Sequence, residues 1–185
     1  MQDLNINKQR CGTRCRFQAQ LVANLNDMAE FHINCRWCDV IRAGVMAGIV
    51  STLIQALLWL IFTDDFPAIL YRDARLTAAM ALGNTVLPPP ATFDVSVMMT
   101  ATLIHFMLSI TYAALLIFST GRLDTFPALL AGIGFGVALY MVNLYGFTVI
   151  FPWFAQTRGW ITLIAHAVFG LTAISVYRGL SFRNA

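Results

Sequence analysis

Four stretches of the chain are built almost wholly from apolar and small residues: 41–63, 97–119, 128–151 and 159–177. Each is close to the roughly 20 residues a helix needs to cross a hydrocarbon core. Apart from Arg42 at the start of the first, none contains Asp, Glu, Lys or Arg. A lipid core offers the backbone no water, so such stretches predict spanning helices with internally paired amides. The pattern changes in "DDFPAILYRDARLTAAMALGNTVLPPP", residues 64–90. Ile69, Leu70, Leu76, Ala79, Met80 and Leu82 are its apolar positions, and Arg72, Asp73 and Arg75 its polar side. Asp64 or Asp65 can cap a helix here, with Pro67 in the first turn and Gly83 past the end. The expectation is a short amphipathic helix on the outer interface, either a plain connector or a lid over the bundle. Pro88, Pro89 and Pro90 then stiffen the approach to the next span. The predicted fold is all-α: an integral membrane four-helix bundle with a short interfacial helix between helices 1 and 2.

Helices 1 and 3 resemble each other at a constant offset. "AGVMAGIVSTLIQ" (43–55) aligns with "AGIGFGVALYMVN" (131–143), which pairs Gly44 with Gly132, Gly48 with Gly136, and Gln55 with Asn143. Both segments carry small residues four apart, which lets helix backbones approach closely in lipid. A Phe-Pro pair follows each helix, at Phe66-Pro67 and Phe151-Pro152. Helices 2 and 4 align on His105 and His166. The pattern suggests two helical hairpins in parallel orientation, related by an axis along the membrane normal.

The same alignment places four hydrogen-bonding side chains at one depth. Counted from the predicted outer ends, Gln55, His105, Asn143 and His166 all lie about 11–12 Å in, at 1.5 Å per residue. Helical spacing extends each into a stripe. Gly44, Gly48, Ser51 or Thr52, and Gln55 share a face of helix 1; Thr102, His105, Ser109 and Tyr112 one of helix 2. Gly132, Gly136, Tyr140 and Asn143 share a face of helix 3; Thr162, His166, Gly170 and Ala173 one of helix 4. The expectation is that both imidazoles point into the bundle, toward each other and toward Gln55 and Asn143. Such a layer can be hydrogen-bonding glue between helices. It can handle protons, because histidine titrates near neutral pH. A third reading makes His105 and His166 the axial ligands of a b-type haem, with Ser109 and Gly170 leaving room for the ring. The chain is not expected to be an enzyme, since no membrane segment supplies a carboxylate or cysteine to complete a triad or a zinc site.

Composition supports the membrane class. The chain is 58% hydrophobic and 11% charged, against about 25% charged for an ordinary soluble domain, and its mean hydropathy is +0.69. A net charge of +3 without a basic stripe gives no footprint for nucleic acid. Nine of the twelve Lys and Arg residues fall before or at the start of helix 1, between helices 2 and 3, or after helix 4. Such residues collect on the cytoplasmic side, which puts both termini there. Trp153, Trp160 and Tyr177 suit the interfacial belts. Residues 1–40 form a polar tail without a signal-peptide pattern, expected to be flexible and separate from a membrane domain over 41–180. Met28 is an alternative start. Cys11, Cys15, Cys35 and Cys38 all precede helix 1 in a C-x3-C and C-x2-C arrangement. Close thiolate pairs can hold zinc; reduced cytoplasmic thiols are the other reading.

With "IHFMLSITYA" on helix 2, "LLAG" (129–132) on helix 3, and a histidine early in helix 4 followed by "VYRGL", the chain resembles the YagU-like bacterial inner-membrane proteins. The likeness covers most of 41–180. The connector, the tail and the polar residue of helix 3 depart from the family. The resemblance implies a multi-pass protein of the inner (cytoplasmic) membrane, a homodimeric partner among its options, and a part in acid tolerance. It supplies no catalytic residues. The functional expectation is a role in membrane or acid/proton homeostasis, with a haem b electron carrier or a structural or accessory subunit of a membrane complex as alternatives.

Overall fold

A computed structural model describes residues 37–183. The tail to residue 36, and with it Cys11, Cys15 and Cys35, lies outside the described residues; Cys38 is an exposed free thiol. Four helices are long and apolar enough to cross a membrane: α1 Trp37–Phe62, α3 Val95–Thr120, the span Thr125–Val149 that begins with α4 Thr125–Met141, and the span Trp160–Leu180 within α5 Trp160–Arg183. The short helix α2, Ala68–Leu82, lies between the first two. The described residues include no strand. Leu53, Leu60, Ile61, Met99, Leu103 and Met107 are more than half exposed, as side chains facing lipid are.

Local chemistry sets the ends of the elements. Asp94 caps α3 by accepting the Val97 amide at 3.0 Å, satisfying one of the donors that every helix start leaves open. At α2 the aspartate caps expected from the sequence do not form. Pro67 occupies the cap position without a side-chain bond, and Asp65 contributes only its carbonyl, which accepts from the Ile69 amide at 3.0 Å. Gly83 closes α2 at φ 77°, a conformation that favours glycine, and its amide reaches the Ala79 carbonyl at 3.0 Å. The third span is not one continuous α-helix. After Met141 the chain widens into a π turn over Val142–Gly146 and then tightens into 3₁₀ turns, Phe147–Val149 and Pro152–Thr157.

Glycines bring the helices together in two pairs. A Cβ on Gly44 would lie 2.7 Å from the Ile110 Cα, and one on Gly48 would lie 2.9 Å from the Ser109 Oγ, so α1 packs against α3. Cβ atoms on Gly136 and Gly170 would collide with the His166 and Gly132 carbonyls, so α4 packs against α5. The pairs match the predicted hairpins, and the cause is the one anticipated: small residues permit backbone contact where lipid provides no hydrophobic drive.

The two halves of the bundle differ. Toward the end that carries the start of α1, alanines and larger aliphatic side chains meet in a buried core. Val40, Ala43, Ala47, Ala113, Leu116, Ile117, Ala128, Ala173 and Ile174 are buried there in one cluster from all four long helices. Toward the α2 end a cavity remains. α2 covers that half from the side of α3, with Ala78 in one cluster with Val97 and Ala101. The Trp153 indole donates to the Leu76 carbonyl at 2.9 Å, joining α2 to the 3₁₀ turn that follows the second Phe-Pro pair. Arg75 donates to the Val86 and Thr92 carbonyls at 3.0 and 3.2 Å, fastening α2 to its own connector.

Candidate functional site

The cavity measures about 480 Å³, within the range of ~300–1,000 Å³ typical of small-molecule sites. All four residues of the expected polar layer, Gln55, His105, Asn143 and His166, line it. Their partners follow from helix packing rather than from depth alone.

His105 lies against α1, not against Gln55. Its Nε2 faces the Thr52 hydroxyl at 3.2 Å and the Gly48 carbonyl at 3.4 Å. A carbonyl only accepts, so Nε2 carries the proton and the fork defines the tautomer. Gly48 makes this possible, since a Cβ there would sit 3.2 Å from that nitrogen. Gln55 instead reaches α5, where it donates to the Thr162 hydroxyl over a long 3.5 Å.

His166 is held at both nitrogens. Nδ1 donates to the Thr162 carbonyl at 2.8 Å, one helical turn back. Nε2 is then an acceptor, and the Asn143 Nδ2 faces it at 3.4 Å. The other end of the same amide accepts from the Tyr112 hydroxyl at 3.0 Å. One chain of hydrogen bonds therefore runs from α3 through the π turn to α5. The π turn contributes Asn143 to it, in keeping with the use of such turns at functional sites. Tyr140 completes the surroundings, with its ring edge-on to His166 at 5.8 Å and its hydroxyl accepting the Gly159 amide at 3.2 Å.

The packing glycines occupy their own places. Gly44 and Gly48 are on α1 against α3, while Gly132, Gly136 and Gly170 form the α4–α5 contact. None is a ligand-binding group; they bring the histidine-bearing backbones close. Axial ligation of a haem would use the two Nε2 atoms that face Gly48 and Thr52 on one side and Asn143 on the other. Both sets of bonds would have to break. Among the described residues no group of three or more His, Cys, Asp or Glu could hold a metal ion.

Sequence reasoning placed Asp73 on the outward polar side of α2. The structure turns it into the cavity wall, where it is the only charged lining residue. Arg72 donates to its Oδ1 through Nε at 3.0 Å and Nη2 at 2.8 Å. Burial raises the Asp73 pKa above the ordinary 3.8, and the neighbouring Arg72 offsets this only in part. The folded protein thus holds the Asp73 proton more tightly than the unfolded chain does. Stability from this group falls as pH rises from about 3.8 through the raised value, and the cost of the buried carboxylate is fully present above it. We expect the melting-temperature difference, wild type minus Asp73→Asn, to decline across that window in a detergent-solubilised titration. A flat difference would show that Asp73 is solvated.

Phe106, Phe147, Phe154, Trp59, Met80 and Met98 form much of the remaining wall. Nothing but apolarity marks these in the sequence, because lipid-facing and cavity-facing phenylalanines read alike.

The fold and this site define a class: a helical multi-pass membrane protein with a largely apolar cavity, crossed by a few polar side chains, in one half of its bundle. Comparison with protein-family models, curated proteins and solved structures found no match.

Proposed function

We propose that the protein acts in acid or proton homeostasis at a bacterial inner membrane, with the histidine-lined cavity as its working site. The observation that carries this is the convergence of His105 and His166, from different helical hairpins, on one cavity. Ionisable side chains within spanning helices are functional candidates by default, and two imidazoles sharing one low-dielectric space resist double protonation. The buried cluster in the opposite half of the bundle favours a one-sided site, a sensor or buffer, over an open channel. The resemblance to YagU-like proteins, with their suggested part in acid tolerance, points the same way.

His105→Gln and His166→Gln test this. Glutamine keeps much of the hydrogen bonding but cannot titrate. Both variants should melt within a few degrees of wild type, and both should fail to restore acid survival to cells lacking the protein while supporting growth at neutral pH. Full acid survival in both variants would reduce the histidines to packing groups.

The distribution of basic residues supports termini in the cytoplasm, with α2 and the cavity toward the periplasm. A phosphatase fused after Ala185 should be inactive, and one inserted between residues 84 and 95 active. The reverse pattern would invert the topology.

A further inference from the structure

The cavity also has the features of a ligand site when His105 is neutral. Its wall is mostly apolar, with the rings of Trp59, Phe106, Phe147 and Phe154 set among aliphatic side chains. Its one charged group, Asp73, already receives two N–H donors from Arg72, so the cavity offers no uncompensated charge. What it does offer is a hydroxyl donor and a ring acceptor one helical turn apart on α3. With Nε2–H of His105 directed at Gly48 and Thr52, the ring's Nδ1 is an acceptor. Thr102 lies three residues earlier on the same helix, on the same face, and also lines the cavity. Among the described residues its hydroxyl has no hydrogen-bond partner, unlike Thr111 and Thr120 of α3, which donate to carbonyls four residues back at 2.8 Å.

We propose that this cavity binds a neutral, membrane-soluble phenol-type molecule. Its hydroxyl accepts from Thr102 and donates to His105 Nδ1, and its ring lies among the aromatic wall residues. A hydroxyl is the smallest group that both accepts and donates, which the Thr102–His105 pair requires. A flat ring suits aromatic walls, where offset and edge contacts add to burial. Neutrality follows from the internally satisfied Asp73–Arg72 pair, since a charged ligand would be buried without a partner.

The test uses the full chain in nanodiscs at one fixed pH, with binding of 4-hexylphenol measured above its partition into empty nanodiscs. Hexylbenzene, 4-hexylanisole and hexyltrimethylammonium are the comparison probes. The expected result is saturable 4-hexylphenol binding, with the anisole weaker by about tenfold, the equivalent of one hydrogen bond, and hexylbenzene, which makes neither bond, weaker still. Thr102→Val should remove about that factor for the phenol and leave hexylbenzene unchanged. Thr102→Trp, which fills the cavity, should abolish binding of every probe. A melting curve close to wild type qualifies each variant for comparison.

Equal saturable binding of phenol and hexylbenzene would overturn the proposal in favour of a plain acyl-chain cavity. Tightest binding of the ammonium would overturn it in favour of recognition by Asp73. No saturable binding, or a Thr102→Val variant with full phenol affinity, would also sink it. None of these results bears on acid survival, so this inference and the proton reading fail separately.

Discussion

Gly136→Ala is expected to destabilise the protein by at least about 3 kcal/mol, the top of the usual range for overpacking a core. The added methyl would collide with the His166 carbonyl oxygen and lie 2.8 Å from the Ala167 Cα. The obstacle is backbone, not the end of a flexible side chain, so α4 and α5 must separate. Gly170→Ala meets the Gly132 carbonyl and should behave alike. Gly134→Ala, where nothing lies within 4 Å of the new atom, should be neutral or stabilising by up to about 1 kcal/mol from helix propensity. Thermal melting of the three variants in one detergent checks this. A Gly136→Ala protein that melts with wild type would mean that the α4–α5 contact is looser than described. Because His166 lies on the struck segment, the same variant should also deform the cavity.

Asn143→Leu is expected to cost about 2 kcal/mol, from two polar groups left without partners. The Tyr112 hydroxyl would lose its acceptor and His166 Nε2 its donor. Hydrogen bonds between membrane helices average only ~0.6 kcal/mol, because the unfolded reference finds other partners. The larger figure is expected here because one amide serves two helices. A double-mutant cycle separates the effects. Tyr112→Phe should be costly in the wild-type background and close to neutral alongside Asn143→Leu, measured by chemical denaturation in mixed micelles. Equal costs in both backgrounds would mean that the Tyr112–Asn143 bond contributes nothing.

Much of the fold could be read locally. The four spans depend on length and apolar composition, and those properties belong to each segment alone. The packing role of the glycines at 44, 48, 132 and 136 was legible for the same reason, since small residues four apart let helix backbones approach closely in lipid. The rule that Asp caps a helix start holds at Asp94 of α3, where extended backbone precedes a free turn. It fails at Asp64 and Asp65, where Pro67 takes the cap position of α2.

The candidate site was legible in membership but not in pairing. Gln55, His105, Asn143 and His166 could be gathered by depth, because rise per residue fixes height along a helix. Which atoms meet depends on how the helices cross. His105 bonds to Thr52 and Gly48 because α1 lies within backbone distance of α3 there. Gln55, one turn further on, faces Thr162 of α5 instead.

The sequence by itself thus determined the number of spans, the short helix between the first two, the glycine-lined pairs and the polar positions within them. All of these follow from periodicity, size and hydropathy, which neighbours in space do not change. Only the tertiary structure decided that α2 turns Asp73 inward, that the third span loosens into a π turn carrying Asn143, and that one half of the bundle holds the buried cluster while the other holds a partly open cavity. The reason is steric. In one half, side chains from all four long helices meet in one buried cluster, whereas in the other the fit of Trp59, Phe106, Phe147 and α2 around the polar layer leaves space that no single segment encodes.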